Sequence, residues 1–269
     1  MQTLIVLVMT LLTISPQPHL AYRVPEANKG QVDLVKVIPI QDPFFIQGLE
    51  LSQDGALYLG TGHYGESQVG TFDFQAGQFI PMQDLPDAYF GEGISIREDA
   101  LWQLTWKEGV VLKRSLTDLG RVDQFEYSGE GWGLAYDPDR DLFWMSDGSS
   151  SLYQQDPEAF TRLGDLQVIW QGRPVTQLNE LEYANQALYA NIWYDHHIIK
   201  IDPETGQVQL IYDLDPILQD IPISPAQAQE MDALNGIAHI EADRFYLTGK
   251  NFPFLLEVHL RDNKRIKDG

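Results

Sequence analysis

Cysteine is missing from all 269 residues. That excludes disulfides, thiolate metal sites, a cysteine nucleophile and a cysteine-linked lipid anchor. Export stays open, because a chain of this length can bury a full core without cross-links. Basic residues are scarce, 18 Lys and Arg against 39 Asp and Glu, for a formal charge of −21. Such a surface repels phosphate backbones and anionic lipid, so nucleic acid is not an expected partner. It keeps the protein soluble and attracts cationic groups, peptide amino termini among them. Long apolar runs are missing too. The one candidate, LIVLVMTLLTI at residues 4–14, is too short to span a bilayer comfortably. Pro16, Pro18 and Pro25 follow it, and residues 1–28 read as a secretory signal peptide, with HLA at 19–21 nearest to a cleavage site. The expected location is secreted or periplasmic, and residues 29–269 form the mature domain, expected to be a monomer.

Helical periodicity is almost absent from residue 31 onward. In its place are alternating apolar residues punctuated by Asp and Gly turns, the pattern of an all-β chain. Five segments repeat: QGLELSQDGALYLGTG (47–62), EGISIREDALWQLTW (92–106), WGLAYDPDRDLFWMSDG (132–148), NELEYANQALYANIW (179–193) and NGIAHIEADRFYLTGK (235–250). Their starts lie 45, 40, 47 and 56 residues apart. A repeat of that length holding about four short strands is a propeller blade. Five copies predict a five-bladed β-propeller. The last copy leaves room for one further strand, FLLEVHL at 254–260, so QVDLVKVIPI at 31–40 is expected to pair back with it and close the ring, removing the free edges.

Aligning the repeats produces two columns at one mouth of the ring. The first is Gln47, Glu92, Trp132, Asn179 and Asn235; the second, across each hairpin, is Thr61, Trp106, Asp147, Trp193 and Lys250. A column serving structure alone would repeat one residue type. These change from blade to blade, and that points to a site.

Nine ordered motifs carry a resemblance: FGEGIS (90–95), LTW (104–106), EGWGL (130–134), MSDGSSSLY (145–153), LNELEY (178–183), ANIW (190–193), IDPETGQV (201–208), LNGIA (234–238) and TGK (248–250). In this order they resemble the plant- and bacterial-type glutaminyl cyclases, or glutamine cyclotransferases, which are five-bladed propellers. The resemblance runs from about residue 31 to 260. It implies a metal-independent, cofactor-free enzyme that turns an N-terminal glutamine of a peptide or protein into pyroglutamate and releases ammonia. It also implies Glu92 as the catalytic acid–base and Phe45, Gln47, Trp106, Trp132, Asn179, Trp193 and Lys250 as substrate-binding residues. The first blade departs from the family pattern: Gln41 stands for His, Ile46 for Thr, and Leu59-Gly60 for Glu-Ser.

The chemistry asks for proton management. Amine and carboxamide belong to one residue, so ring closure is intramolecular, and one carboxyl placed between them can carry the proton from the first to the second. Glu92 is the only acid in the first column. The mouth indoles would raise its pKa by desolvation, whereas Lys250 would lower it. Glu180, the next residue after Asn179, points to the opposite face of its strand and is expected to buffer backbone donors. His196-His197 point opposite ways and suggest no zinc site; Asp137, Asp139 and Asp141 are read as an acidic turn rather than a calcium loop. Two readings from other classes stand beside the enzyme: a non-catalytic propeller that binds peptide amino termini, and a calcium-dependent, lactonase-type propeller hydrolase.

Overall fold

A computed structural model describes residues 24–262. The signal peptide read over residues 1–28 therefore lies outside the described residues, save its last five. Strands of four to nine residues, separated by turns, build five four-stranded antiparallel sheets, and two strands of two residues each, Ile169–Trp170 and Arg173–Pro174, form a separate hairpin. The first blade is Ile46–Leu51, Leu57–Thr61, Gln68–Asp73 and Gln78–Asp84, from inside to outside. The second is Gly91–Arg97, Ala100–Thr105, Val110–Ser115 and Arg121–Glu126. The third is Leu134–Asp137, Leu142–Met145, Ser151–Gln155 and Arg162–Gln167, and the fourth is Leu178–Ala184, Ala187–Ile192, His197–Ile201 and Val208–Asp213. The fifth takes Leu234–Glu241, Arg244–Gly249 and Phe254–Arg261 from one end of the chain and its outermost strand, Gln31–Pro39, from the other.

That closure pairs the two segments as expected, with Gln31 opposite Arg261 and Pro39 opposite Phe254 and one irregularity between Leu34 and Lys36. Each interface between neighbouring blades holds its own apolar cluster. Trp102, Phe143 and Phe160 pack between the second and third blades, and Trp144, Leu178 and Ile199 between the third and fourth. Tyr189, Tyr212 and Phe245 fill the wedge between the fourth and fifth. Burying large apolar side chains between sheets is what holds the ring.

At the axis the inner strands approach backbone to backbone, and glycine makes this possible. A Cβ on Gly48 would lie 2.6 Å from Ile94 N, one on Gly93 2.6 Å from Trp132 O, and one on Gly133 2.6 Å from Glu180 Cα. Each is a contact with the next blade, closer than any side chain tolerates.

Two short helices, Asp215–Gln219 and Pro225–Glu230, join the fourth and fifth blades. The sequence pattern did not reveal them, because five or six residues are too few to show a 3.6-residue period. Their trace is the long 56-residue interval before the fifth repeat, and the second begins with a Ser224–Gln227 capping box.

Candidate active site

The repeat columns meet where the inner strands are irregular. A bulge interrupts pairing between Ile46 and Gly48, Gly91 and Ile94, Leu178 and Leu181, and Leu234 and Ile237. Thus Gln47, Glu92, Asn179 and Asn235 each sit in or beside a break in the ladder. A bulge re-aims a side chain that regular alternation would send elsewhere. In the third blade Trp132 precedes the strand, and Gly133 N donates to Ser146 Oγ at 2.8 Å instead.

A cavity of about 260 Å³ opens at this mouth, lined by Phe45, Gln47, Glu92, Trp106, Trp132, Asn179, Trp193 and Lys250, together with His63 and Phe90. All eight residues singled out in the sequence are brought together. His63 and Phe90 were not foreseen. Phe90 stands two residues before Glu92 as Phe45 stands two before Gln47, a parallel the alignment could have exposed. His63 carries no such signal; it lies beyond the hairpin in left-handed backbone, φ 95°, its ring centroid 4.2 Å from that of Phe45.

Three column residues do not line the cavity, each held by local bonds. Asn235 Nδ2 donates to Ile46 O at 3.2 Å. Thr61 Oγ1 accepts from Gln68 N at 2.9 Å. Asp147 accepts from Ser149 N at 2.9 Å and from the Tyr153 hydroxyl at 2.8 Å.

Glu92 is 4% exposed. Gln47 Nε2 donates to its Oε1 at 3.1 Å, while Glu92 Oε2 and Gln47 Oε1 find no protein partner among the described residues. Burial lifts the Glu92 carboxyl well above the ordinary range; Lys250 opposes this, and Glu108 and Glu130 reinforce it. Burial wins the contest that the sequence left open. It also draws Lys250 below the usual lysine range, against Glu92 and Asp232, so both groups are displaced toward their uncharged forms. Lys250 Nζ stands 4.9 Å from the centre of the Phe45 ring.

Aromatic rings make the walls. Trp132 and Trp193 meet nearly edge to face, 5.4 Å apart at 82°, and Phe90 leans on Trp106 at 5.5 Å. The altered first-blade residues lie elsewhere: Ile46 and Leu59 are buried in the apolar cluster between the fifth and first blades, and neither they, Gln41 nor Gly60 lines the cavity.

A second set of carboxylates belongs to the inner strands themselves. Glu180 accepts from Leu49 N at 3.3 Å and from Ile237 N at 2.9 Å, which reaches from the fourth blade to the first and fifth. This is the buffering expected of it. Glu182 accepts from His239 N at 3.3 Å, and Glu50 from the Ser95 hydroxyl at 2.9 Å and Ile96 N at 3.2 Å. Among the described residues no group of three or more His, Asp or Glu side chains could hold a metal ion. Asp137 is fully buried and occupied by Trp144 Nε1 and Arg140, while Asp139 accepts from the Tyr183 hydroxyl of the fourth blade at 2.7 Å and Asp141 from Arg97 Nε of the second at 3.1 Å. His196 and His197 face Asp215 and Asp195.

Comparison with known proteins agrees with this geometry. The family model described as glutamine cyclotransferase matches residues 4–260. Glutaminyl-peptide cyclotransferase of Arabidopsis thaliana is 32% identical over 234 residues, covering 86% of this chain and 72% of that protein. The crystal structure of Myxococcus xanthus glutaminyl cyclase superposes with a TM-score of 0.77 at 34% identity, covering 88% of this chain and 99% of that one. The chain belongs to the glutamine cyclotransferase family.

Proposed function

We propose that this protein converts the N-terminal glutamine of a peptide or protein into pyroglutamate with release of ammonia, and that Glu92 carries the proton. One observation carries the reading: a buried carboxyl with a raised pKa has one oxygen without a protein partner in a cavity sized for a single side chain.

The α-amine nitrogen forms a bond to the side-chain carboxamide carbon, and the bond from that carbon to the amide nitrogen breaks. Glu92 takes a proton from the attacking nitrogen and returns it to the departing one, so ammonia leaves and Glu92 ends as it began. An α-amine titrates near 7.7–8.0, and a carboxyl raised above its ordinary value by burial exchanges a proton with it more readily than a solvated carboxyl would. Gln47 and Asn179 offer neutral hydrogen bonds to amine and amide. Lys250 donates to the oxygen of the tetrahedral intermediate. The indole walls exclude water from the ring closure.

Ammonia release from a Gln-initiated dipeptide, with chelator present, tests the activity. Glu92→Gln should lower turnover ~10²–10⁴-fold with a much smaller change in binding. Asp147, bonded to its own blade, should tolerate Asp147→Asn. An inactive Asp147→Asn enzyme beside an active Glu92→Gln would sink the assignment. Wild type that binds such peptides without releasing ammonia would favour the non-catalytic reading. The apolar run at 4–14 further supports an exported protein that meets secreted peptides; N-terminal sequencing of the mature protein tests that.

A further inference from the structure

Glu130 lines no part of the cavity, yet it touches two of its walls. Its Oε2 accepts from Trp106 Nε1 at 2.8 Å and from Trp132 Nε1 at 3.0 Å. The two indoles come from different blades. Trp106 follows the second strand of the second blade, and Trp132 precedes the first strand of the third. Their rings are therefore fixed relative to each other by one shared oxygen rather than by a common sheet. The segment between them is docked as well, since Gly131 N donates to Trp106 O at 2.9 Å.

The other oxygen faces a cation. Lys107 Nζ lies 3.8 Å from Glu130 Oε1 and 3.8 Å from the centre of the Trp106 ring. Lys107 thus clamps the outer face of the same indole whose N–H Glu130 holds. A neutral acceptor could hold both rings. A carboxylate holds them more strongly, and it also places negative charge within reach of Glu92.

We propose that Glu130 is a positioning residue with two separable effects: its shared oxygen fixes the Trp106 and Trp132 walls, and its negative charge is held against the walls of the pocket that contains Glu92. The inference rests on the activity proposed above. The charged and titratable groups that act on Glu92 are Lys250, Glu108 and Glu130, with Tyr64 and Tyr127 sensing the Glu92 charge in turn. Lys250 is the one cation in that set, and Glu108 is occupied by Tyr64 Oη and Phe90 N. Glu130 is the member whose side chain holds two indole walls at once.

Two substitutions separate the effects. Glu130→Gln keeps an oxygen that can accept from both indoles and removes the charge. KM for a Gln-initiated dipeptide should stay within about twofold, while the limb of the kcat/KM profile belonging to Glu92 should move to lower pH. Glu130→Ala removes both. The same limb should move, and KM should rise about tenfold as two charge-assisted bonds to the walls are lost. Indole emission should shift in Glu130→Ala and not in Glu130→Gln. Unchanged KM and emission in Glu130→Ala would overturn the wall role. A Glu92 limb that stays in place in both variants would overturn the charge role. Emission is read without turnover, so a wild type that releases no ammonia fails the proposed activity and leaves the wall role to be judged by fluorescence.

Discussion

The pocket holds one cation among its lining residues, Lys250, and that cation acts on the acid the chemistry needs. Removing it as Lys250→Met should cost about 10²–10³ in kcat, the usual worth of one donor to a developing oxyanion. It should also move the Glu92 limb of the pH profile upward, because Lys250 is the group that lowers Glu92. Glu130→Gln moves the same limb downward, so the signs alone distinguish the neighbours. Trp193→Ala should raise KM about tenfold or more, since a large aromatic face against Trp132 is lost. Seven of the ten residues that line the cavity were legible in the repeat columns, where blade repetition placed unlike side chains in equivalent positions; Phe45 came from the family resemblance alone. Glu130 was not legible, because it lies outside the columns and its importance appears only when two indoles from different blades are seen to share it.

Among elements, the inner strands carry the tightest constraint. Gly133→Ala would press a methyl group against the Glu180 backbone of the next blade. Neither strand can yield without moving Asn179, the neighbour of Glu180. The variant should lose about 3 kcal/mol or fail to fold, and what folds should be impaired in turnover. Gly55→Ala is the control. Its φ of +89° makes alanine costly, but nothing lies within 4 Å, so thermal melting should show a loss of only about 1–2 kcal/mol. Blade number, strand order and the closing strand were legible from the period and the alternation. The bulges were not. A bulge adds one residue to one strand, and only the partner strand reveals it, so the alignment placed Asn235 at the mouth although its amide turns to Ile46 O.

For the whole molecule, the axial carboxylates set a pH dependence. Burial raises Glu50 to about 7 and lifts Glu180 and Glu182 well above the ordinary value of 4.5. A carboxyl with a raised native pKa binds its proton more tightly in the folded state. For Glu50 that contribution to folding is full below about pH 4.5 and is lost as pH rises through about 7. Glu50→Gln, which imitates the protonated acid, should melt roughly 2–5 °C above wild type at pH 8 and match it at pH 4.5. No difference at pH 8 would mean that Glu50 ionises there without strain. Deleting residues up to 39 should unmask the edge of Phe254–Arg261 and the apolar face beneath it. The expected result is aggregation, read by light scattering. The closing strand has a further consequence in time. Its partners lie more than 200 residues away along the chain, a contact order that makes this pairing slow and late. The cavity takes Gln47 from the first blade and Lys250 from the last, so a ribosome-bound chain that lacks the fifth blade holds no complete pocket. Catalytic competence should therefore arrive in one step, when the two ends meet.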